Sequence, residues 1–186
     1  MSRFTVTATP LAGLNIIERQ RLADSRGVFS RLFCVDELSA HGWKGPVAQI
    51  NQSRTVRQGT IRGMHFQHPP HSETKLVCCL EGEVWDVAVD IRTGSPTFLR
   101  WHGLRLSAEN CLALLIPAGF AHGFQALSDN AVLLYCHSAA YAAGSEGGLN
   151  PQDPKLAIDW PLPLAEISAR DLAHPCIDRT FTGVRP

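Results

Sequence analysis

The side chains most able to do chemistry gather in the middle of the chain. The run Gly59-Thr-Ile-Arg62-Gly-Met-His65-Phe-Gln67 is followed by Lys75 and Gly82, then by Pro117-Ala-Gly119-Phe-Ala-His122 and Val132-Leu-Leu-Tyr135-Cys-His137. The imidazole of His65 can act as a general base close to neutral pH. The ammonium of Lys75, fixed and aimed at a developing oxyanion, supplies strong electrostatic stabilisation. Something must then return a proton from the other face. Tyr135 suits that task, because a phenol titrates near about 10 and its strand parity matches His137 rather than Leu134 or Cys136. Together these groups fit proton abstraction next to a ketone.

The elements that must position them read as strands. Short runs recur at Gln49 to Asn51, Gly59 to Phe66, Lys75 to Leu80, Glu83 to Ile91, Thr97 to Leu106, Cys111 to Ile116, Gly123 to Leu127 and Val132 to Ser138. Gly, Pro or Asn/Asp separates most of them, and no helical period is long enough for a crossover. That spacing predicts an all-β antiparallel sandwich or barrel, with a jelly roll the natural candidate. Glu81-Gly82-Glu83 is expected to close a hairpin. Apolar stretches at Phe4 to Val6 and Val28 to Cys34 suggest further strands within residues 1–50. After Asn150, Pro151, Pro154, Pro161 and Pro163 punctuate the loop that opens a tail, 151–186, with a short helix expected over Leu164 to Leu172.

At 186 residues, the chain suits one domain with an extended tail better than two domains. Its 45% hydrophobic content excludes the disordered and fibrous classes. Seventeen basic residues balance seventeen acidic ones, so the charge footprint of a nucleic-acid or membrane-surface binder is missing. Six cysteines form no C-x-x-C pair and read as small, reduced core residues; adjacent Cys78 and Cys79 should face opposite sides of a strand. The N-terminus has no signal-peptide pattern and no run is long enough to span a bilayer, so a cytoplasmic, bacterial location is expected.

The blocks around His65 and His122 resemble the paired motifs of the cupin family, which place three His and one Glu around a metal inside a barrel. The match is half broken. His65 and His122 stand at two ligand positions, but Gln67 replaces the second His and Lys75 occupies the Glu position. An ammonium beside two imidazoles opposes cation binding, and too few good ligands remain, so neither a catalytic metal nor another cofactor is expected. A cupin that kept only the fold is the bland alternative, but its interior should have turned apolar.

The strings RGMHFQHPP, KLVCCLEGEVWDVAVDIRTGSPTF, LSAEN, IPAGFAHGF and DPKLAIDWPLP carry a closer likeness. With Asp24-Ser25-Arg26-Gly27 and Arg170-Asp171, they resemble the dTDP-4-dehydrorhamnose 3,5-epimerase family over most of the chain. The resemblance implies His65 as catalytic base, Asp171 as its orienting carboxylate, Lys75 as the family's lysine after the Pro-Pro loop, and Tyr135 as the acid. Arg170 stands where the family has Lys. Substrate contacts are implied for Arg26, Gln49, Asn51, Arg62, His122, Glu146 and Arg170, with Arg62 the strongest phosphate binder. Asp86 is expected near Lys75 and His122. A homodimer is also implied, with strands of residues 1–50 at the interface and reaching the partner's site, and a nucleotide-sugar substrate for deoxysugar building.

Two departures stand out. Arg31 occupies a position where the family places Glu in the nucleotide region, which puts base recognition in question. The segment from Asn51 to Arg62 is about one residue longer than is usual in the family and carries Arg54, Arg57 and Arg62. Tyr141 is a fallback for the acid. His68, His71, His102 and His174 read as surface or loop, and Trp85, Trp101 and Trp160 as packing. Rival readings are a C3-only epimerase, a 3,4-ketoisomerase, a non-catalytic nucleotide-sugar-binding cupin and, least of all, a metal-dependent cupin oxygenase.

Overall fold

The computed structural model describes residues 2–186. In chain order the strands are β1 (Phe4–Ala8), β2 (Asn15–Arg19), β3 (Arg21–Asp24), β4 (Gly27–Ser30), β5 (Gln49–Thr55), β6 (Thr60–Gln67) and β7 (Lys75–Glu81). They continue with β8 (Glu83–Asp90), β9 (Trp101–Ser107), β10 (Leu112–Ile116), β11 (Phe120–Ala126), β12 (Ala131–His137), β13 (Glu146–Gly148) and β14 (Glu166–Ile167). Two one-turn helices, α1 (Val35–Ser39) and α2 (Ala169–Leu172), interrupt them.

Two sheets face each other as a jelly roll. One runs β1-β2-β10-β7-β12-β5, the other β13-β6-β11-β8-β9, with β14 added to β6 in parallel. The remaining pairings are antiparallel, as the strand spacing predicted. Alternation explains the layers. Val84 and Ala88 of β8 point inward with Leu104, Leu106 and Phe124, while Val87 and Val89 point outward beneath Leu149, Leu156, Ile177 and Val184 of the tail. β7 is covered on both sides, which is why KLVCCL reads as a continuous apolar run. Val77 and Cys79 join the interior cluster; Leu76 and Cys78 pack outside with Leu38 and Trp43. All six cysteines are free.

The tryptophans do pack. Trp85, Trp101 and Trp160 lie against the outer cluster, and the indoles of Trp101 and Trp160 donate to the carbonyls of Leu156 and Pro151 at 3.0 and 2.9 Å.

Three local expectations are corrected. Gly82 does not close a hairpin: β7 pairs with β10 and β12, β8 with β11 and β9, so the turn carries the chain from one sheet to the other. The helix expected over Leu164 to Leu172 is only its last turn, because Glu166 and Ile167 are drawn into the β6 ladder. The strand expected from Thr97 begins at Trp101, since the Ser95 and Thr97 hydroxyls both donate to Asp90 and fold the approach into a turn. Near the N-terminus, the run from Val28 ends as strand at Ser30, and β2 and α1 are elements the apolar pattern did not mark.

Candidate active site

One wall of the site is built on β6. His65 pairs with His122 across the β6–β11 ladder, so both imidazoles project to the same side. On the next strand, Asp86 accepts from Nε2 of His122 at 2.8 Å. The expected neighbour of His122 is therefore in place, while the carboxylate beside Lys75 is Glu73 instead, with Nζ to Oε1 at 3.0 Å.

Asp171 arrives from far along the chain. β14 lies parallel to β6, and Ser168 then caps α2 by accepting from the Asp171 backbone N–H at 3.0 Å. Gly59 permits that route: with φ of +80°, a Cβ there would lie 2.8 Å from the Pro163 carbonyl oxygen. The carboxylate of Asp171 accepts from Nε2 of His65 at 2.9 Å and from the Gly63 N–H at 3.0 Å. Burial by itself would raise its pKa, but the hydrogen bonds from His65, Gly63 and the charge of His65 hold it well below the usual carboxylate range. An ionised carboxylate only accepts, so Nε2 of His65 carries a proton, which in the neutral imidazole leaves the lone pair on Nδ1.

The facing wall belongs to the other sheet. Lys75 and His137 are cross-strand partners on β7 and β12, with Tyr135 two residues from His137 and opposite Asn51. The Tyr135 hydroxyl meets Ser53 Oγ at 3.0 Å, and burial pushes its pKa far up, so the phenol holds its proton. His137 is pulled down to about 4 by burial and by the Lys75 charge, so it is neutral at pH 7. Lys75 Nζ also donates to the His65 carbonyl at 3.4 Å, tying the two walls together.

Between the walls lies a cavity of about 1080 Å³ lined by His65, Lys75, Tyr135, Asp171, Gln49, Asn51, Arg62, His122, Glu146 and Arg170. Arg54 and Arg57 line it too, beside Arg62. Arg170 pairs with Glu146 at 3.2 Å, and Glu146 accepts from the Tyr141 hydroxyl at 2.9 Å, so the fallback tyrosine sits at the exposed mouth. Gln67 is not a vacated metal ligand: it donates to Glu73 and to the carbonyls of His71 and Ala140, and accepts from the Ala142 N–H, fixing the loop above the site.

Arg26 is the sequence-predicted site residue that the chain does not bring to this cavity. It sits on the β3–β4 hairpin, which pairs with neither main sheet, and its guanidinium binds Asp24 at 2.6 Å with 88% of the side chain exposed. Arg31 is likewise off the cavity, in an ion pair with Glu37. The cationic side of the site is thus Arg54, Arg57 and Arg62. Sequence reading missed Glu73 and His137; strand parity with Tyr135 offered a signal for His137, whereas Glu73 lies in the loop before β7. It also misplaced His102, which lies on β9 with its Nε2 buried. His174 does sit in a loop, the turn after α2, but its ring is 6.2 Å from that of His65.

Comparison with known proteins points to one family. The family model described as dTDP-4-dehydrorhamnose 3,5-epimerase matches residues 8–179. The chain is 42% identical to the dTDP-4-dehydrorhamnose 3,5-epimerase of Salmonella typhimurium over 95% of its own length and 97% of the relative's. It is 43% identical to a dTDP-4-dehydrorhamnose 3-epimerase of Streptomyces niveus, covering 87% and 78%. The crystal structure of dTDP-6-deoxy-D-glucose-3,5-epimerase from Legionella pneumophila, in complex with dTDP-4-keto-L-rhamnose, superposes with a TM-score of 0.91 at 39% identity, covering 98% of this chain and 99% of that one. With a family model matched over residues 8–179 and this degree of likeness along nearly the whole chain, the protein belongs to the dTDP-4-dehydrorhamnose 3,5-epimerase family.

Proposed function

We propose that the protein epimerises a nucleoside-diphosphate 4-keto-6-deoxyhexose, as a dTDP-4-dehydrorhamnose 3,5-epimerase. The observation that carries this reading is the placement of His65 and Tyr135 on opposite walls of one cavity, since inversion needs a base on one face of an enolate and an acid on the other. Nδ1 of His65 removes the proton from a carbon flanking the C4 ketone, while Asp171 stabilises the imidazolium that forms. Lys75 stabilises the enolate oxygen, with Glu73 fixing where the ammonium stands. Tyr135 delivers its proton to the opposite face. The ketone acidifies C3 and C5 alike, so one constellation can serve both centres.

Arg62, with Arg54 and Arg57 nearby, binds the diphosphate, and Gln49, Asn51, His122, Glu146 and Arg170 contact the remainder. The chain works as one domain and as a homodimer. Exposed Val28 and Phe29 on the β3–β4 hairpin and Ile50 on the edge strand β5 supply apolar surface for that contact. The hairpin then delivers Arg26 to the partner's cavity. A cytoplasmic enzyme fits this reading; among the described residues no helix is long and apolar enough to cross a membrane.

Incubation with dTDP-4-keto-6-deoxyglucose in D2O, followed by NMR, tests the reading. Deuterium at both C3 and C5 is expected. Deuterium at C3 alone would make it the single epimerase that the Streptomyces niveus relative is described as. Carbonyl migration would mark a ketoisomerase, and no exchange with dTDP, GDP or CDP sugars would leave a binding protein.

A further inference from the structure

Gly148 stands opposite His65 in the β13–β6 ladder, so a side chain there would point the way His65 points. The ring of His174 already fills that space: a Cβ on Gly148 would collide with its Nε2 and adjacent carbons. His174 follows α2, and the Asn150 amide holds that turn through the carbonyls of Leu172 and His174, at 3.1 and 3.4 Å. The Nε2 of His174 is buried and, among the described residues, has no hydrogen-bond partner. A buried ring nitrogen without a partner is costly, and its position beside the dyad suggests what can take its lone pair.

We propose that His65, Asp171 and His174 form a zinc site, and that the metal inhibits the enzyme rather than serving it. One donor atom from each residue lies within 4.8 Å of the other two, and His65 Nε2 and Asp171 Oδ1 are already 2.9 Å apart. Two imidazoles and a carboxylate, with a fourth position open to the cavity, form a donor set suited to Zn2+ and ill suited to Mg2+. Tetrahedral zinc needs donors about 3.4 Å apart, given bonds of about 2.0–2.1 Å, so the His174 ring must close in by up to about 1.4 Å. The proton on Nε2 of His65 leaves to solvent as the metal takes its place. Arg170 lies 3.2 Å from that nitrogen and 3.5 Å from Asp171 Oδ1, so its guanidinium faces two of the three donors and opposes a cation. Its side chain is 60% exposed, and zinc binding requires it to leave both atoms for solvent.

Inhibition rests on the epimerase reading; zinc binding does not. Chelator-stripped protein is titrated with ZnCl2 by calorimetry. One ion per chain is expected, with MgCl2 giving no heat. Both His174→Ala and His174→Gln should weaken zinc at least about tenfold, the lower end of what even an outer partner's loss costs, while Cys176→Ala should change nothing. In the exchange assay, zinc should suppress deuterium uptake and EDTA restore it, with His174→Ala active but resistant. A cooperative thermal transition in each variant checks that it folds, and zinc should raise the midpoint in the parent and in Cys176→Ala but not in the His174 variants. Unchanged affinity in both His174 variants, loss in Cys176→Ala, or no binding by the parent protein would each overturn the site. Binding without any epimerase activity to inhibit would leave the site standing and sink the functional reading instead.

Discussion

Two histidine–carboxylate pairs lie side by side on neighbouring strands, and they are not equivalent. His65 and His122 face one another in the β6–β11 ladder, each bound through Nε2 to an aspartate at 2.9 and 2.8 Å. His122 and Asp86 are both buried, and the second oxygen of Asp86 has no partner among the described residues. In the other pair, Asp171 has both oxygens occupied, while the His65 side chain is 29% exposed to the cavity. A fully satisfied anchor behind a reachable ring is the arrangement of a base. A sealed pair with an unsatisfied carboxylate oxygen holds a ring in place to contact a ligand.

That contrast predicts a large asymmetry. His65→Asn should lower deuterium exchange by about 10⁴-fold, the upper range for loss of a general base. His122→Asn should act mainly through binding, raising KM about tenfold with a smaller change in kcat. Equal losses of kcat in the two variants would erase the distinction. Asp171→Asn comes next, at about a thousandfold. The amide must offer its oxygen to the Gly63 N–H, which turns its NH2 toward His65 Nε2. The imidazole then has to move its proton to Nδ1, the nitrogen that must be free. Wild-type stability with lost exchange is the expected signature.

The acid wall sharpens the comparison at a smaller scale. Tyr135→Phe should leave proton removal within about tenfold of the parent but reduce epimer formation about a hundredfold, because only the return of the proton is impaired. Tyr141→Phe should change either rate by less than about threefold, its hydroxyl being bound to Glu146 at the mouth. Reversed effects would transfer the acid role to Tyr141.

How much of this was legible follows from how each group reaches the site. His65, Lys75 and Tyr135 lie on strands with their own local periodicity, and parity alone puts each on a definite face. Asp171 is 106 residues from His65. Its position depends on the tail crossing the outer face and on β14 joining β6, neither of which leaves a local pattern, so only family resemblance pointed to it. Gly82 failed for the same reason. A compact glycine turn specifies a reversal but not whether the two strands pair or part company between sheets. His174 was unreadable because its site is a space left by Gly148, and an absent side chain has no signature in sequence. The fold class survived these errors because antiparallel strand spacing does not depend on any single pairing.

Asp90 gives the measure of a carboxylate with structural duty alone, and the smallest effect on activity. It is fully buried, bound by the Arg92 guanidinium at 2.7 Å and by the hydroxyls of Ser95 and Thr97, each at 2.6 Å. Burial alone would raise its pKa, but these bonds bring it down to about 2. A carboxylate depressed in the folded state stabilises above its unfolded pKa, near about 3.9, and loses that contribution as pH falls through the folded value. Asp90→Asn should therefore cost about 2 kcal/mol at pH 7 by urea unfolding, with the gap to the parent narrowing between about pH 4 and 2. Exchange measured below the unfolding range should stay within about twofold, since Asp90 lies outside the cavity. A variant that keeps its stability but loses exchange would mean that the turn before β9 reaches the site, and that separating structural from catalytic carboxylates by cavity contact is the wrong criterion in this fold.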